Sequence, residues 1–163
     1  MDTLTLALIA LAAAVLLVAL SAWLAARARR LPYRRVDSLL TDAERSFYGV
    51  LVRVVDRDIA VFPKVRFADL LWLPPNTGDR RAHLNRVASK HIDFVLCHRR
   101  SLAPLLAIEL DDSSHRARDR RRRDAFVDRV LRAAGLPLPR VPARRSYAPA
   151  ELAELVRRSL FDH

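Results

Sequence analysis

The chain has 163 residues, 52% of them hydrophobic, and a formal net charge of +11. This length allows one ordinary domain and an appended segment. The single cysteine, Cys97, excludes an intramolecular disulfide framework and a zinc site built from cysteines, and it is typical of a reducing compartment. The excess of basic side chains indicates a polyanionic partner, and both nucleic acid and anionic lipid headgroups satisfy that description.

The first predicted element is an apolar run from Leu4 to Ala26 that contains no charged residue. At a helical rise of about 1.5 Å per residue, the run is long enough to cross a hydrocarbon core about 30 Å thick. Asp2 precedes it and arginines follow it, which favours a single-pass membrane anchor over a cleaved signal peptide and predicts a cytoplasmic C-terminal part. We therefore expect a transmembrane anchor with its basic flank over residues 1–30 and a separate domain over residues 31–163.

The domain is predicted to alternate between helices and strands. Apolar residues recur at helical intervals after Ser38, short apolar runs are typical of strands, and Gly135 is a residue type that commonly ends a helix. The predicted elements are a helix over 38–55, an irregular strand or hairpin over 59–71, a loop or variable insertion over 73–90, strands over 91–98 and 103–111, a helix ending at Gly135, a short strand over 136–141 and a helix over about 149–160. This order predicts an α/β sandwich of modest size.

Acidic residues interrupt the two central strands. Alternation places Asp93 on the face opposite Ile92 and Phe94, and it places Glu109 and Asp111 on one face of the next strand, roughly 7 Å apart. If these strands form a hairpin, the three carboxylates converge and form a ligand set that suits Mg²⁺ or Mn²⁺. An alternative is that Asp111 and Asp112 cap the following helix and that Asp93 pairs with an arginine.

Two further residues are candidates for the same site. Glu44 lies on the core-facing stripe of the first predicted helix of the domain, but it also completes a capping box with Thr41. His115 follows the acidic end of the second central strand and is suited to act as a general base or to position water, although a lone histidine in a polar loop is more often simply solvated.

A cluster of arginines follows the central strands. Because arginine binds phosphate through two parallel hydrogen bonds, the cluster predicts contact with nucleic acid, with DNA favoured. The alternatives are a solvated helix face, since the chain contains 27 arginines and only two lysines, and a surface for anionic lipid. The six arginines are Arg116, Arg118, Arg120, Arg121, Arg122 and Arg123.

As a set, these motifs resemble the PD-(D/E)XK nuclease superfamily, in which Asp93 and the segment Glu109-Leu110-Asp111 would stand on adjacent strands. The closer resemblance is to a bacterial family, often membrane-anchored, known as domain of unknown function 2726, and beyond it to very-short-patch-repair endonucleases. The segments that carry the resemblance are LLTDAERSFYGVL, FPKVRFADLL, KHIDFVLC, AIELDDSSH, RDAFVDRVLRAAGLPLPRVPA and RSY.

The resemblance implies a restriction-endonuclease-like fold, with a four-stranded mixed sheet flanked by helices, in a protein of the bacterial inner membrane. It implies that Asp93 and Glu109 bind Mg²⁺, that Glu44 is the acid of the first helix, and that His115 matches a histidine of the repair-type nucleases. One departure is that Asp111 replaces the lysine of the motif. Lys64, from the first predicted strand, is the candidate to supply that charge and to contact nucleic acid.

Two functions follow from the sequence. The first is a membrane-anchored, metal-dependent endonuclease that hydrolyses the phosphodiester bonds of nucleic acid and is held in the lipid bilayer by residues 4–26. The second is a catalytically inactive module of the same fold that binds nucleic acid or anionic lipid at the cytoplasmic membrane face. The oligomeric state is left open.

Overall fold

A computed structural model describes residues 2–28, 31–111 and 117–161, with side chains over 2–27, 31–111 and 125–161. Contacts between residues divide the chain into two units, Met1–Asp37 and Ser38–His163. The family resemblance and the predicted site fall in the second unit.

The first unit contains one helix, α1, over Thr3–Ala28. The side chains from Thr3 to Arg27 are exposed, and the guanidinium of Arg27 lies 5.4 Å from the centre of the Trp23 ring. Among the described helices, α1 alone is long and apolar enough to cross a bilayer, and a signal sequence near an N-terminus has the same length and composition.

The second unit contains a four-stranded mixed sheet with the strand order β1-β2-β3-β4. β1 pairs with β2 and β2 with β3 in antiparallel fashion, while β3 and β4 are parallel, so the predicted α/β class, the mixed sheet and the central hairpin are confirmed. The elements are α2 Asp42–Val54, β1 Ile59–Arg66, a 3₁₀ turn Phe67–Leu70, α3 Arg80–Ala88, β2 His91–His98, β3 Pro104–Asp111, α4 Ala117–Ala133, β4 Arg140–Pro142 and α5 Pro149–Phe161.

Apolar side chains cover both faces of the sheet. The first cluster joins α2 and α5 to the sheet and contains Phe47, Val50, Leu51, Phe94, Leu96, Leu106, Ile108, Val141, Leu152 and Val156. The second cluster joins α4, α3 and the 3₁₀ turn to the opposite face and contains Phe67, Val87, Ile92, Val95, Cys97, Ala107, Val127, Leu131 and Leu136. This two-sided burial explains why the central strands are almost continuously apolar.

Helix α3 lies within residues 73–90, which the sequence predicted to be a loop or a variable insertion, so the prediction of a loop is wrong there. Val87 is the one buried residue of α3, and the rest of its sequence is mostly polar. A helix that buries a single side chain carries no amphipathic period, because such a period requires several apolar residues on one stripe.

The last strand is shorter than the predicted span of 136–141. Pro137 and Pro139 have no N–H group to donate to a ladder, but their carbonyl oxygens accept hydrogen bonds from the backbone N–H groups of Ala107 and Glu109. The segment therefore runs beside β3 as an acceptor before regular pairing begins at Arg140.

The faces of β2 also differ from simple alternation. Ile92 packs in the second cluster with Val95, whereas Phe94 packs in the first, so the prediction that Ile92 and Phe94 share a face is wrong. In the pairing of β1 with β2, Pro63 lies opposite Phe94 and Val65 lies opposite Ile92, so that Lys64 and Asp93 fall between these two pairs. Lys64 has a left-handed backbone with φ of 54°. The interruption of alternation therefore falls at the level of Lys64 and Asp93.

Candidate active site

Lys64 on β1 links two acids that come from different elements. Its ammonium group donates hydrogen bonds to the carboxylate of Glu44, in the first turn of α2, and to Oδ1 of Asp93 on β2, at 3.3 Å from Nζ. The side chain of Lys64 is 38% exposed, whereas those of Glu44 and Asp93 are 12% and 18% exposed. The cluster therefore turns its cation toward solvent and keeps its two acids largely covered.

Glu44 completes the capping box that the sequence indicated, and its carboxylate also contacts Lys64. Its Oε2 accepts a hydrogen bond of 2.9 Å from the backbone N–H of Thr41, and its own N–H donates to the Thr41 hydroxyl at 3.4 Å. The other oxygen, Oε1, contacts Lys64. The capping box is thus confirmed, and the carboxylate divides its two oxygens between the start of α2 and the lysine.

The cluster is stabilised in its charged form. Burial opposes ionisation of Glu44, but hydrogen bonds from Lys64 and Thr41 outweigh it and hold the pKa of Glu44 below its ordinary value. Burial likewise acts to lower the pKa of Lys64, but the hydrogen bond to Glu44 and the charge of Asp93 raise it above its ordinary value. Each partner therefore keeps the other ionised.

Asp93 also contacts β3. Its Oδ2 accepts a hydrogen bond of 2.9 Å from the backbone N–H of Leu110. The last Cα pair between β2 and β3 at this end is Phe94 with Ile108, so the carboxylate bonds to β3 just beyond the regular ladder. This contact brings Asp93 to the backbone of the middle residue of the Glu109-Leu110-Asp111 segment. The predicted convergence of the three carboxylates into one ligand set is not found among the described residues.

The two acids of that segment have different surroundings. Glu109 is half-buried, and Asp111 is half-exposed, with its Oδ1 3.3 Å from Nη1 of Arg140. The other terminal nitrogen of Arg140 donates to Asp128 at 3.0 Å. Arg140 thus joins the end of β3 to α4 from its place on β4.

Within the described ranges, no three side chains of Asp, Glu, His or Cys are grouped closely enough to hold a metal ion. Mg²⁺ in proteins is commonly bound by one or two carboxylates, with water and substrate phosphate oxygens completing its shell. Asp93 and Glu109, on neighbouring strands, have the chemistry of such a pair, since each carboxylate oxygen can accept more than one contact.

Residues 36–160 match a family described as "Protein of unknown function (DUF2726)". The chain belongs to this family. The match begins just before the second unit, and it contains all four strands and every residue of the site described above. Neither a curated protein nor a solved structure matches the chain.

Part of the predicted site of this DUF2726 protein lies outside the described residues. His115 and Arg116 fall in the undescribed range 112–116. Arg118, Arg120, Arg121, Arg122 and Arg123 lie on α4, but their side chains are outside the described set. Their roles as base and as phosphate contacts stay predictions.

Sequence reasoning missed Arg140 as a member of the polar network in this DUF2726 protein. It connects Asp111 with Asp128, two acids that are 17 positions apart in the sequence. The available signal was local, because Arg140 is a charged residue between Pro139 and the buried Val141 at the start of a short strand. A charge in that position requires a partner, since long charged side chains are rarely covered without one.

Proposed function

We propose that this chain is a divalent-metal-dependent nuclease that hydrolyses phosphodiester bonds of nucleic acid at Asp93, Glu109 and Lys64. We further propose that its sheet is of the restriction-endonuclease-like kind, related to PD-(D/E)XK and very-short-patch-repair enzymes. The observation that carries the proposal is the contact of Lys64 with Asp93, at a point where Asp93 also contacts the Glu109-Leu110-Asp111 segment. Lys64 and Asp93, from neighbouring strands, therefore lie together beside the β3 segment that carries Glu109.

Lys64 is positioned to supply the positive charge that the motif lysine would otherwise provide. The resemblance requires a lysine at position 111, where this chain has Asp111. Lys64 supplies an ammonium group beside Asp93 from another strand, and its partly exposed side chain is accessible to a substrate. A positive charge held in advance beside a reacting phosphate stabilises the charge that develops in the transition state.

In the proposed reaction, water adds to phosphorus, one P–O ester bond breaks, and the leaving oxygen takes up a proton. Asp93 and Glu109 would hold Mg²⁺ or Mn²⁺, and the bound ion would supply Lewis-acid polarisation of the phosphate and activation of water. Glu44 positions Lys64 through their hydrogen bond, and the Leu110 N–H fixes the Asp93 carboxylate. His115 is proposed as the proton acceptor.

The test is a cleavage assay on the full chain in non-ionic detergent, with plasmid DNA or RNA, in the presence of Mg²⁺, Mn²⁺ or EDTA. Asp93→Asn and Glu109→Gln are expected to lower the rate at least about 100-fold, as loss of a key electrostatic group does. Glu154→Gln is the matched control, because it also removes a charge from a partly exposed acid that is paired with a cation. Equal rates in wild type and both site variants, or no cleavage of any substrate, would count against the proposal.

Metal binding gives a second readout that does not depend on turnover. Titration with Mn²⁺, followed by electron paramagnetic resonance, should show a site in wild type that weakens in Asp93→Asn and Glu109→Gln but not in Glu154→Gln. DNA binding in EDTA, combined with no metal site and no cleavage, would instead favour the second function, an inactive module that binds nucleic acid.

We also propose that α1 anchors the protein in a bacterial inner membrane with the second unit in the cytoplasm. The support is the distribution of charge: Arg27, Arg29, Arg30, Arg34 and Arg35 lie on the C-terminal side of the apolar run, and Asp2 lies on the other. Alkaline phosphatase fused after His163 should be inactive and the fusion should sediment with membranes. An active fusion, or release of a shortened soluble chain, would contradict this topology.

A further inference from the structure

The second unit has a second polar surface, between α3 and α4, which the candidate site does not include. It is a groove of about 630 Å³ lined by Arg86 from α3 and by Ala125, Phe126, Asp128, Arg129 and Arg132 from α4. We call it the basic groove. The sequence did not predict it, because α3 was expected to be a loop.

An aromatic ring organises the cations at one side of the basic groove. The guanidinium carbon of Arg86 lies 4.4 Å from the centre of the Phe126 ring, and Nζ of Lys90 lies 6.0 Å from the same centre. Phe126 is half-buried against the second apolar cluster, whereas Arg86 is exposed. Stacking on a ring orients a guanidinium without using its hydrogen-bond donors, so those donors stay available to a ligand.

The charge of the basic groove is not balanced by its one acid. Asp128 is paired with Arg140 at 3.0 Å. In the described part of the chain, Arg86, Arg129 and Arg132 form no ion pair with a carboxylate, in contrast to Arg45, Arg66, Arg157 and Arg158 elsewhere on the surface. Unpaired guanidinium groups on two adjacent helices are complementary to a row of phosphates.

We infer that the basic groove binds the sugar–phosphate backbone of the nucleic acid, at a place separate from the Lys64 site. This inference rests on the proposed function for its class of ligand. A lipid surface is the less fitting occupant, because binding to it combines basic residues with apolar side chains that insert between lipids, whereas Phe126 lies half-buried beneath Arg86. Backbone phosphates require only the spaced guanidinium groups.

The test measures binding of a fluorescein-labelled DNA duplex to the full chain in non-ionic detergent, by anisotropy, with EDTA present to prevent cleavage. The variants are Arg86→Ala, Arg129→Ala, Arg132→Ala and their combination. The matched control is Arg53→Ala: Nε of Arg53 donates to the carbonyl of Gly49 at 2.8 Å, just as Nε of Arg129 donates to that of Ala125 at 3.3 Å. Both are exposed helical arginines with the same local bond and the same charge.

We expect each groove variant to weaken binding and the triple variant to weaken it about tenfold or more, while Arg53→Ala binds as wild type does. Between about 50 and 200 mM salt, the slope of log affinity against log salt should become shallower by about 0.9 for each phosphate that the variant no longer neutralises. Thermal unfolding followed by circular dichroism shows that the variants remain folded, since none of the substituted side chains is buried.

Equal weakening by Arg53→Ala and Arg129→Ala would overturn the inference, because the effect would then be one of net charge. Unchanged DNA binding in the triple variant would overturn it too. So would a second binding assay in which the groove variants bind phosphatidylglycerol vesicles more weakly than wild type does but bind DNA equally well. Failure of the nuclease proposal has a different signature: absence of cleavage in Mg²⁺ with groove-dependent DNA binding intact. If the wild type cleaves DNA but the groove variants bind DNA as tightly as wild type does, the nuclease proposal stands and the inference about the basic groove is wrong.

Discussion

In each of two clusters in the second unit, a cation pairs with two carboxylates from other elements, but the clusters expose opposite charges. At Lys64 the cation is 38% exposed and the carboxylates of Glu44 and Asp93 are 12% and 18% exposed. At Arg140 the guanidinium is 23% exposed, and Asp111 and Asp128 are 50% and 39% exposed. A polyanion therefore meets a cation at the first cluster and carboxylates at the second.

Each cluster connects three elements of the fold, so the two clusters do not differ in their structural role. The Lys64 cluster joins α2, β1 and β2, and the Arg140 cluster joins β3, β4 and α4. What separates them is which partner is covered. Covering two acids is unfavourable unless a cation stays beside them, and leaving that cation accessible is what binding or chemistry on a phosphate requires.

The largest expected effect comes from removing the exposed cation. Lys64→Met should lower the single-turnover cleavage rate in Mg²⁺ by about 10²–10³, because a preorganised positive charge is removed. Methionine is unbranched, as lysine is, so the left-handed backbone is no more strained than before. Arg140→Met is the comparison, and we expect its rate to stay close to that of wild type.

Lys64→Met leaves two covered acids without their cation, so a folding control is needed. Lys64→Arg keeps the charge and should remain folded, with an intermediate rate, because a planar guanidinium reproduces the charge but not the position of the ammonium. If Lys64→Met and Arg140→Met lower the rate equally while both remain folded by circular dichroism, the functional contrast between the clusters disappears.

The next effect is on stability and belongs to the second cluster. Arg140→Met should lower the free energy of unfolding by about 1–3 kcal/mol, because Asp111 and Asp128 lose a shared hydrogen-bonding partner but remain partly solvated. Urea unfolding of the full chain in detergent, followed by circular dichroism, measures it. A change below about 0.5 kcal/mol, the usual size for a surface substitution, would mean that Arg140 does not join these elements energetically.

A smaller effect is expected in the pH dependence of stability. The folded-state pKa of Glu44 lies below its unfolded value of about 4.3, so the unfolded state binds more protons between the two values. The stabilisation from Glu44 is therefore complete above the unfolded value and is lost as pH falls through the folded one. The free energy of unfolding of Glu44→Gln should be about 1–2 kcal/mol lower than that of wild type above pH 5, and it should fall less steeply as the pH is lowered.

Urea unfolding at a series of pH values between about 3 and 6 measures this effect, since the window brackets the ordinary glutamate pKa. Glu151→Gln, at an exposed glutamate in the first turn of α5, is the control. If the free energy of unfolding falls equally steeply with decreasing pH in wild type and in Glu44→Gln, the contact with Lys64 does not stabilise the ionised carboxylate.

The smallest effect is expected at Asp111. Because its side chain is half exposed and its contact with Arg140 is 3.3 Å long, Asp111→Asn should cost at most about 1 kcal/mol. It should change the cleavage rate less than Asp93→Asn does, as measured in the same assay. A loss as large as that of Asp93→Asn would instead make Asp111 the third metal ligand, as the sequence predicted.

Local patterns were sufficient for much of the fold. The capping box of Thr41 and Glu44, the apolar runs of β2 and β3, and Gly135 with φ of 69° after α4 are each determined by residues within a few positions of one another. Such features can be predicted because the hydrogen bonds and side-chain periods involved are themselves local.

The remaining features depend on contacts between distant residues. Lys64 reaches Asp93 across 29 positions only because β1 pairs with β2 in one register and its backbone is left-handed at that residue. No periodicity encodes this change of face. Helix α3 could not be predicted for a related reason, since it is held by the single buried side chain of Val87 rather than by an apolar stripe.

The φ of 54° at Lys64 also limits how this position can change during evolution. A β-branched replacement is strongly disfavoured by this backbone, whereas glycine and asparagine adopt it readily. Lysine and asparagine codons differ only in the third base, so one mutation removes the ammonium group while the bend of β1 is retained. Family members with asparagine here would be natural examples of a folded scaffold that lacks the cation, and their activity would report on what lysine contributes.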